Sequence, residues 1–262
     1  MKYLMRFGLF CWVALVGAGT VLLAQDLETL IDKNLAARGG AAKLDALTSI
    51  RVYGVVKGPS ITMDFSYAVA DGKIRFEYAM GDKHIMMVLV QNEGWQINPM
   101  MGDAKPMRMG AKEAAFLKEM GDIAGPLVAW REKGHQLEHR GKVSLGQGEA
   151  YELDLKTAHG HHKSVFLNSD TYLIQRVVEH YSGKKPIFKT TKAYQAVDGV
   201  VFPKRVEKRD TNFCTHEDGH AQKGRCAGFS EINYTSIEIA PDLDRSWFRL
   251  QHKTTLLADA GH

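Results

Sequence analysis

The residues from Ser60 to Asn98 constrain this chain more than any other stretch, because their polarity alternates with a period that only extended backbone can use. From Ile61 to Tyr67 every odd residue is apolar and every even one polar. Strand side chains point alternately to opposite faces, so this is the pattern of a half-buried strand. Asp71-Gly72 reads as a tight hairpin turn, and Lys73 to Met80 then repeats the alternation with its charges outward. Gly81-Asp82 turns into Ile85 to Val90, which is apolar on both faces, and Asn92-Glu93-Gly94 closes a third turn before Trp95-Gln96-Ile97. The expectation is an antiparallel meander with one apolar, aromatic, methionine-rich face that the rest of the chain must cover.

The N-terminus carries a different signal. Lys2 and Arg6 form a basic region, Phe7 to Leu23 is an apolar run, and Ala24 before Gln25 offers a cleavage point, with Leu22 larger than the small residue favoured there. Residues 1–24 read as a secretory signal peptide, which places residues 25–262 in the periplasm. An uncleaved anchor is the alternative, since 17 residues with three glycines just suffice to span a bilayer. Cys11 lacks the small residues that a lipoprotein signal needs before it. Without Lys2 and Arg6 the chain has 32 basic and 30 acidic residues, and no basic stripe interleaves with aromatics, which argues against nucleic acid as a partner. Export leaves only Cys214 and Cys226, and in an oxidising compartment the pair most simply closes one disulfide loop.

Before the meander, Asp26 to Arg38 reads as an amphipathic helix capped by Asp26, with Leu27, Leu30, Ile31 and Leu35 on one face and Gly39-Gly40 at its end. Ala41 to Leu47 reads as a short helix and Ser49 to Lys57 as the first strand. After it, Ala111 to Met120 forms a helix presenting Phe116, Leu117 and Met120. Pro126 suits the first turn of another, which carries Leu127 and Trp130 and ends at Gly134. Strands follow over 136–145, 149–157, 162–167, 172–181, 185–197 and 200–208, the last two paired across Asp198-Gly199. Phe229 to Ile239 is the closing strand, and its apolar phase slips between Ile232/Tyr234 and Ile237/Ile239, the mark of a bulge. Pro241 to Leu250 closes the domain, and 251–262 reads as a loose tail.

With about ten or eleven strands and no linker-like boundary, 25–262 reads as one domain. A curved sheet with one apolar face and few helices either fills with side chains or keeps a cavity in its concavity. Eight of the eleven methionines lie between Met80 and Met120, and unbranched, adaptable methionine suits both outcomes.

Four stretches resemble the outer-membrane lipoprotein-sorting, or LolA-like, superfamily of periplasmic carriers. They are Leu30–Leu47 (LIDKNLAARGGAAKLDAL), Gly125-Pro126-Leu127 followed by Lys133–Leu155, Phe166–His180 with Tyr194–Glu207, and the ending Phe229–Leu250. The resemblance implies a mainly β (α+β) fold: an open, curved antiparallel half-barrel whose concave face is lidded by helices. It implies a cavity for acyl chains, with candidate lining residues Met63, Phe65, Tyr67, Phe76, Tyr78, Met80, Met86, Val88, Trp95, Met101, Phe116, Leu117, Leu127 and Trp130. The Cys214–Cys226 loop has no counterpart in the shared pattern.

Enzyme readings have less to stand on. His216-Glu217-Asp218-Gly219-His220 matches H-E-x-x-H, but that zinc site needs both histidines on one helical face, and Asp218-Gly219 breaks helices. Cys214, His216, His220 and Cys226 are four competent ligands at a spacing unlike the usual zinc patterns, and an oxidised pair could not ligate as thiolates. His159, His161 and His162 read as a solvated turn. No nucleophile elbow, phosphate loop or dinucleotide fingerprint is present. The sequence therefore leads to a monomeric, non-enzymatic periplasmic protein with neither cofactor nor metal, holding a lipid or acylated lipoprotein. It would meet membranes transiently and exchange cargo with envelope donor and acceptor proteins. The alternatives are an envelope sensor with a filled core and, more remotely, a small metal-dependent hydrolase.

Overall fold

The computed structural model describes residues 16–101, 105–146, 148–213 and 227–250, without the side chains of 16–25, 101 and 245. Helix α1 (Val16–Ala37) and α2 (Ala41–Asp45) precede strands β1 (Ser49–Lys57), β2 (Thr62–Ala70), β3 (Lys73–Met80), β4 (Lys83–Val90), β5 (Glu93–Ile97) and β6 (Met107–Arg108). Helix α3 (Ala111–Met120) leads to β7 (Gln136–Ser144), β8 (Glu149–Lys156), β9 (His162–Asn168), β10 (Ile174–His180), β11 (Ile187–Val197), β12 (Val200–Asp210) and β13 (Phe229–Ile239). The thirteen described strands form one antiparallel sheet in the order β6-β5-β4-β3-β2-β1-β13-β12-β11-β10-β9-β8-β7. Two meanders thus join where the first strand meets the last. The sheet curves without closing, as expected, with two or three more strands than the sequence reading counted.

Edge strands β6 and β7 are neighbours in sequence but lie at opposite ends of the sheet, so the chain between them must cross a face. It crosses the concave one. Helix α3 lies over β3–β5, and its C-terminal Gly121 sits where a Cβ would come 2.5 Å from Ile74. Leu127 and α1 cover the other half. Leu27, Leu30 and Ile31 pack with Leu127 onto Leu153, Leu155, Val165 and Leu167. Full burial of each leucine stabilises by roughly 1.5–3 kcal/mol. Asn34, one turn along the same helical face, donates to the Tyr172 carbonyl at 2.7 Å. At the end of α1, Arg38 donates to the Ala124 carbonyl at 2.7 Å and its own carbonyl accepts from Val201 at 3.0 Å, tying helix, crossing segment and β12 together.

Strand boundaries follow the alternation closely, and Asp71-Gly72 and Asp198-Gly199 both hold the paired positive φ of a tight hairpin. The bulge falls where the apolar phase slips: Tyr53 opposes Ser236, while Gly54 opposes Tyr234. Four expectations fail. Helix α1 already runs through Val16–Ala37 among the described residues, so Asp26 lies inside it and does not cap it. No helix forms over 126–134, because Ala129 at φ 48° leaves the right-handed region and the segment becomes successive turns. The turn after β4 is built on Gln91-Asn92, both at positive φ, and Gly94 belongs to β5.

The fourth failure concerns the second face of the sheet. Arg75 and Glu77 do not point to solvent; both are only 2% exposed. The C-terminal segment folds over the convex side of β2–β4, setting Leu243, Trp247, Phe248 and Leu250 on Ala68, Ala70, Met86 and Val88. Asp244 caps its 3-10 turn (Arg245–Phe248) by accepting from the Ser246 amide at 2.5 Å. Beneath this strap Arg75 pairs with Glu77 and donates to the Trp247 and Arg249 carbonyls, both at 3.0 Å.

Residues 1–15 of the expected signal peptide (1–24), the Cys214–Cys226 pair, His216 and His220, and the tail beyond 250 lie outside the described residues. Among those described, no helix is long and apolar enough to cross a membrane.

Candidate functional site

Between the concave face of β1–β3, the face of α3 and the ends of β12 and β13 lies an open cavity of about 550 Å³. Period-2 alternation delivers its wall. Val56, Met63, Phe65, Tyr67, Phe76, Tyr78, Ile232 and Tyr234 share one sheet face through the β3-β2-β1-β13 register, and α3 adds Phe116 and Met120. Their rings form a connected aromatic surface. The Phe65–Phe76 centroids are 6.4 Å apart, Phe76–Tyr78 5.0 Å, Phe76–Phe116 6.1 Å and Phe65–Tyr234 5.7 Å. Apart from the 26° Phe65–Phe76 pair these meet near edge-on, the favourable arrangement for aromatic quadrupoles.

Gly54 makes room for this surface. The Phe65 ring lies across β1 at that position, and a Cβ there would stand 2.4 Å from the ring and 2.5 Å from the Asn233 carbonyl oxygen. The cavity opens at the end of the sheet where β1 and β12 finish and β2 and β13 begin. Gly58, Pro59 and Ile61 form one side of the mouth, and Asp210, Phe213, Ala227 and Gly228 the other. Five large apolar or aromatic side chains are exposed among the described residues, and three of them, Ile61, Phe116 and Phe213, are at this cavity.

Polar groups in the wall are few. Burial pushes the Tyr67, Tyr78 and Tyr234 phenols up, so they remain neutral and act as weakly polar wall. Lys189 and Lys208 border the cavity near the mouth.

A scan of family models finds none that matches the chain, and a search of curated proteins finds no relative. Solved structures do match. A DUF1329 family protein from Desulfovibrio piger superposes with TM-score 0.55 at 11% identity, over 85% of this chain and 97% of that one. A LolA superfamily protein from Nitrosomonas europaea gives 0.54 at 11%, over 85% and 96%. A protein domain from Vibrio parahaemolyticus, named for outer membrane lipoprotein sorting, gives 0.53 at 10%, over 84% and 97%. The fold is LolA-like.

Within this LolA-like fold the sequence-derived candidates separate into groups. Met63, Phe65, Tyr67, Phe76, Tyr78 and Phe116 line the cavity. Leu117 is fully buried in the core beside it, and Leu127 and Trp130 pack under α1. Met80 is half-buried on the same strand face as Phe76 and Tyr78 but outside the lining. Met86, Val88 and Trp95 are on the opposite face: Met86 and Val88 lie under the strap, and Trp95 borders a separate hollow with Val88 and Phe248. The side chain of Met101 is outside the described residues. Sequence reasoning missed Ile232 and Tyr234, whose alternation was legible but whose place beside β1 depends on a pairing nearly two hundred residues apart in the chain.

Two histidines of the 159–162 turn, His161 and His162, hydrogen-bond to carboxylates. Glu119 accepts from Thr157 at 2.8 Å, pairs with His161 at 2.5 Å and pairs with Lys163, while His162 meets Asp154 at 2.5 Å. Burial pushes the Glu119 carboxyl up, but Lys163, Thr157 and His161 together hold it below its ordinary 4.5. Glu179 is likewise pushed up by burial and brought below 4.5 chiefly by Lys189. Both carboxylates bind fewer protons folded than unfolded, so their stabilisation is complete above pH 4.5 and is lost as pH falls through the lower folded values. Thermal melts between about pH 3 and pH 7 should show the midpoint falling below pH 4.5, with a shallower fall in Glu119→Gln.

Proposed function

We propose that this chain is a non-enzymatic periplasmic binding protein that carries the acyl part of a lipid or lipid-modified protein in the concave cavity. The observation that carries the reading is an open, aromatic-walled cavity with Ile61, Phe116 and Phe213 exposed around it. Exposed apolar surface in a concave site favours an apolar occupant, whose burial contributes roughly 25 cal/mol per Å² before the costs of ordering are subtracted. A volume of about 550 Å³ falls in the usual range for small-molecule sites. Lipoprotein sorting, the role in the Vibrio domain's name, supplies the first cargo class to try.

Met63→Trp tests the reading with a fluorescent acyl probe. The larger ring would occupy the cavity, so probe affinity should fall by about tenfold or more while the unfolding midpoint barely moves. An envelope sensor with a filled core predicts the reverse: unchanged probe behaviour and a loss of about 1–3 kcal/mol from overpacking. Unchanged affinity would refute the carrier.

A further inference from the structure

The register of β11 and β12 sets Lys189 directly opposite Lys208 on the face that borders the cavity. Two ammonium groups therefore stand side by side at the mouth of an otherwise aromatic chamber. They are not equivalent. Lys189 pairs with Glu179 at 2.6 Å, whereas Lys208 has no ion-pair partner among the described residues. Asp210, the third charged group at the mouth, accepts from the Asn212 amide at 3.1 Å and the Asn212 side chain at 2.8 Å through one carboxylate oxygen, and its charge acts on Lys208 without forming an ion pair with it. A half-buried ammonium facing a concave, largely apolar space is poorly solvated, and an anion brought to it there recovers that cost.

We propose that the occupant is an amphiphile with an anionic head, a carboxylate or phosphate, bound by Lys208 beside Lys189 at the mouth while its chain lies among Phe65, Phe76 and Phe116. This rests on the acyl-binding reading above and adds the charge and orientation of the ligand. Burial first, and then the neighbouring Lys189 charge, lower the Lys208 pKa from its ordinary value, and the charges of Asp210 and Glu179 offset this only in part. A point-like ammonium accepts either anion, so the head's identity is left to the chain that carries it.

The test uses one chain length with three heads, below micellar concentrations: hexadecanoic acid, hexadecyl phosphate and hexadecanol, each displacing the fluorescent acyl probe from the full chain. The acid, the phosphate or both should bind about tenfold more tightly than the alcohol. Which anion gains more distinguishes a fatty-acid source from a phosphate head. Lys208→Gln should remove that preference and leave the alcohol's affinity unchanged, with the advantage of the anions in the wild type shrinking as salt is raised. Equal binding of acid, phosphate and alcohol, or a preference that survives Lys208→Gln, would overturn the anionic head while leaving acyl binding intact. No displacement by any of the three would overturn both.

Discussion

Truncating Glu77 to alanine is expected to cost the fold about 3–5 kcal/mol, because it strands a buried guanidinium without its counter-charge. Arg75 and Glu77 are each 2% exposed, so water cannot take the place of the lost partner. Arg75 also donates to the Trp247 and Arg249 carbonyls, so the pair fastens the C-terminal strap as well as neutralising itself. Two readouts follow. Urea unfolding at neutral pH should give the loss in stability, and hydrogen exchange should quicken at the amides of Trp247 and Arg249, which close the strap's turn onto Asp244 and Ser246. Replacing both partners with apolar residues of similar volume should cost less than Glu77→Ala, since neither charge is left buried alone. A Glu77→Ala variant within about 1 kcal/mol of wild type would mean the strap is not held this way.

The second large effect is expected at Gly54. A methyl group there meets the Phe65 ring at 2.4 Å and the Asn233 carbonyl at 2.5 Å. The ring lines the cavity, so moving it off Gly54 disturbs that wall, and the carbonyl belongs to the backbone of β13. Gly54→Ala should destabilise by about 1–3 kcal/mol and, on the acyl-binding proposal, also weaken uptake of an acyl probe, because relief of the clash moves Phe65 within the cavity wall. Phe65→Ala combined with Gly54→Ala should recover part of the probe affinity. A Gly54→Ala protein with wild-type stability and binding would contradict the packing of β1 against Phe65.

Much of the sheet was legible because its information is local. Asp71-Gly72 and Asp198-Gly199 announce their hairpins, and the slip from Ile232/Tyr234 to Ile237/Ile239 announces the bulge opposite Tyr53 and Gly54. What was not legible depends on the other face or on distant partners. Met86-Met87-Val88-Leu89 is apolar on both sides, so alternation alone cannot say that Met87 and Leu89 join the concave core while Met86 and Val88 meet the strap. Arg75 and Glu77 carry the ordinary pattern of solvated strand charges, and only a segment about 170 residues later buries them. Pro126 gave a sound signal for a helix start, which a left-handed residue at Ala129 overrode. The part of the cavity wall from β2, β3 and α3 could be named because those elements are read in one phase; the part from β12 and β13 needed the closure onto β1.

The most direct test of the central claim is native mass spectrometry of the chain purified from the cell envelope without detergent, beside its denatured mass. A bound acyl ligand predicts extra native mass of lipid size that disappears on denaturation. A bare native mass that added hexadecanoic acid, hexadecyl phosphate and hexadecanol all leave unchanged would contradict it.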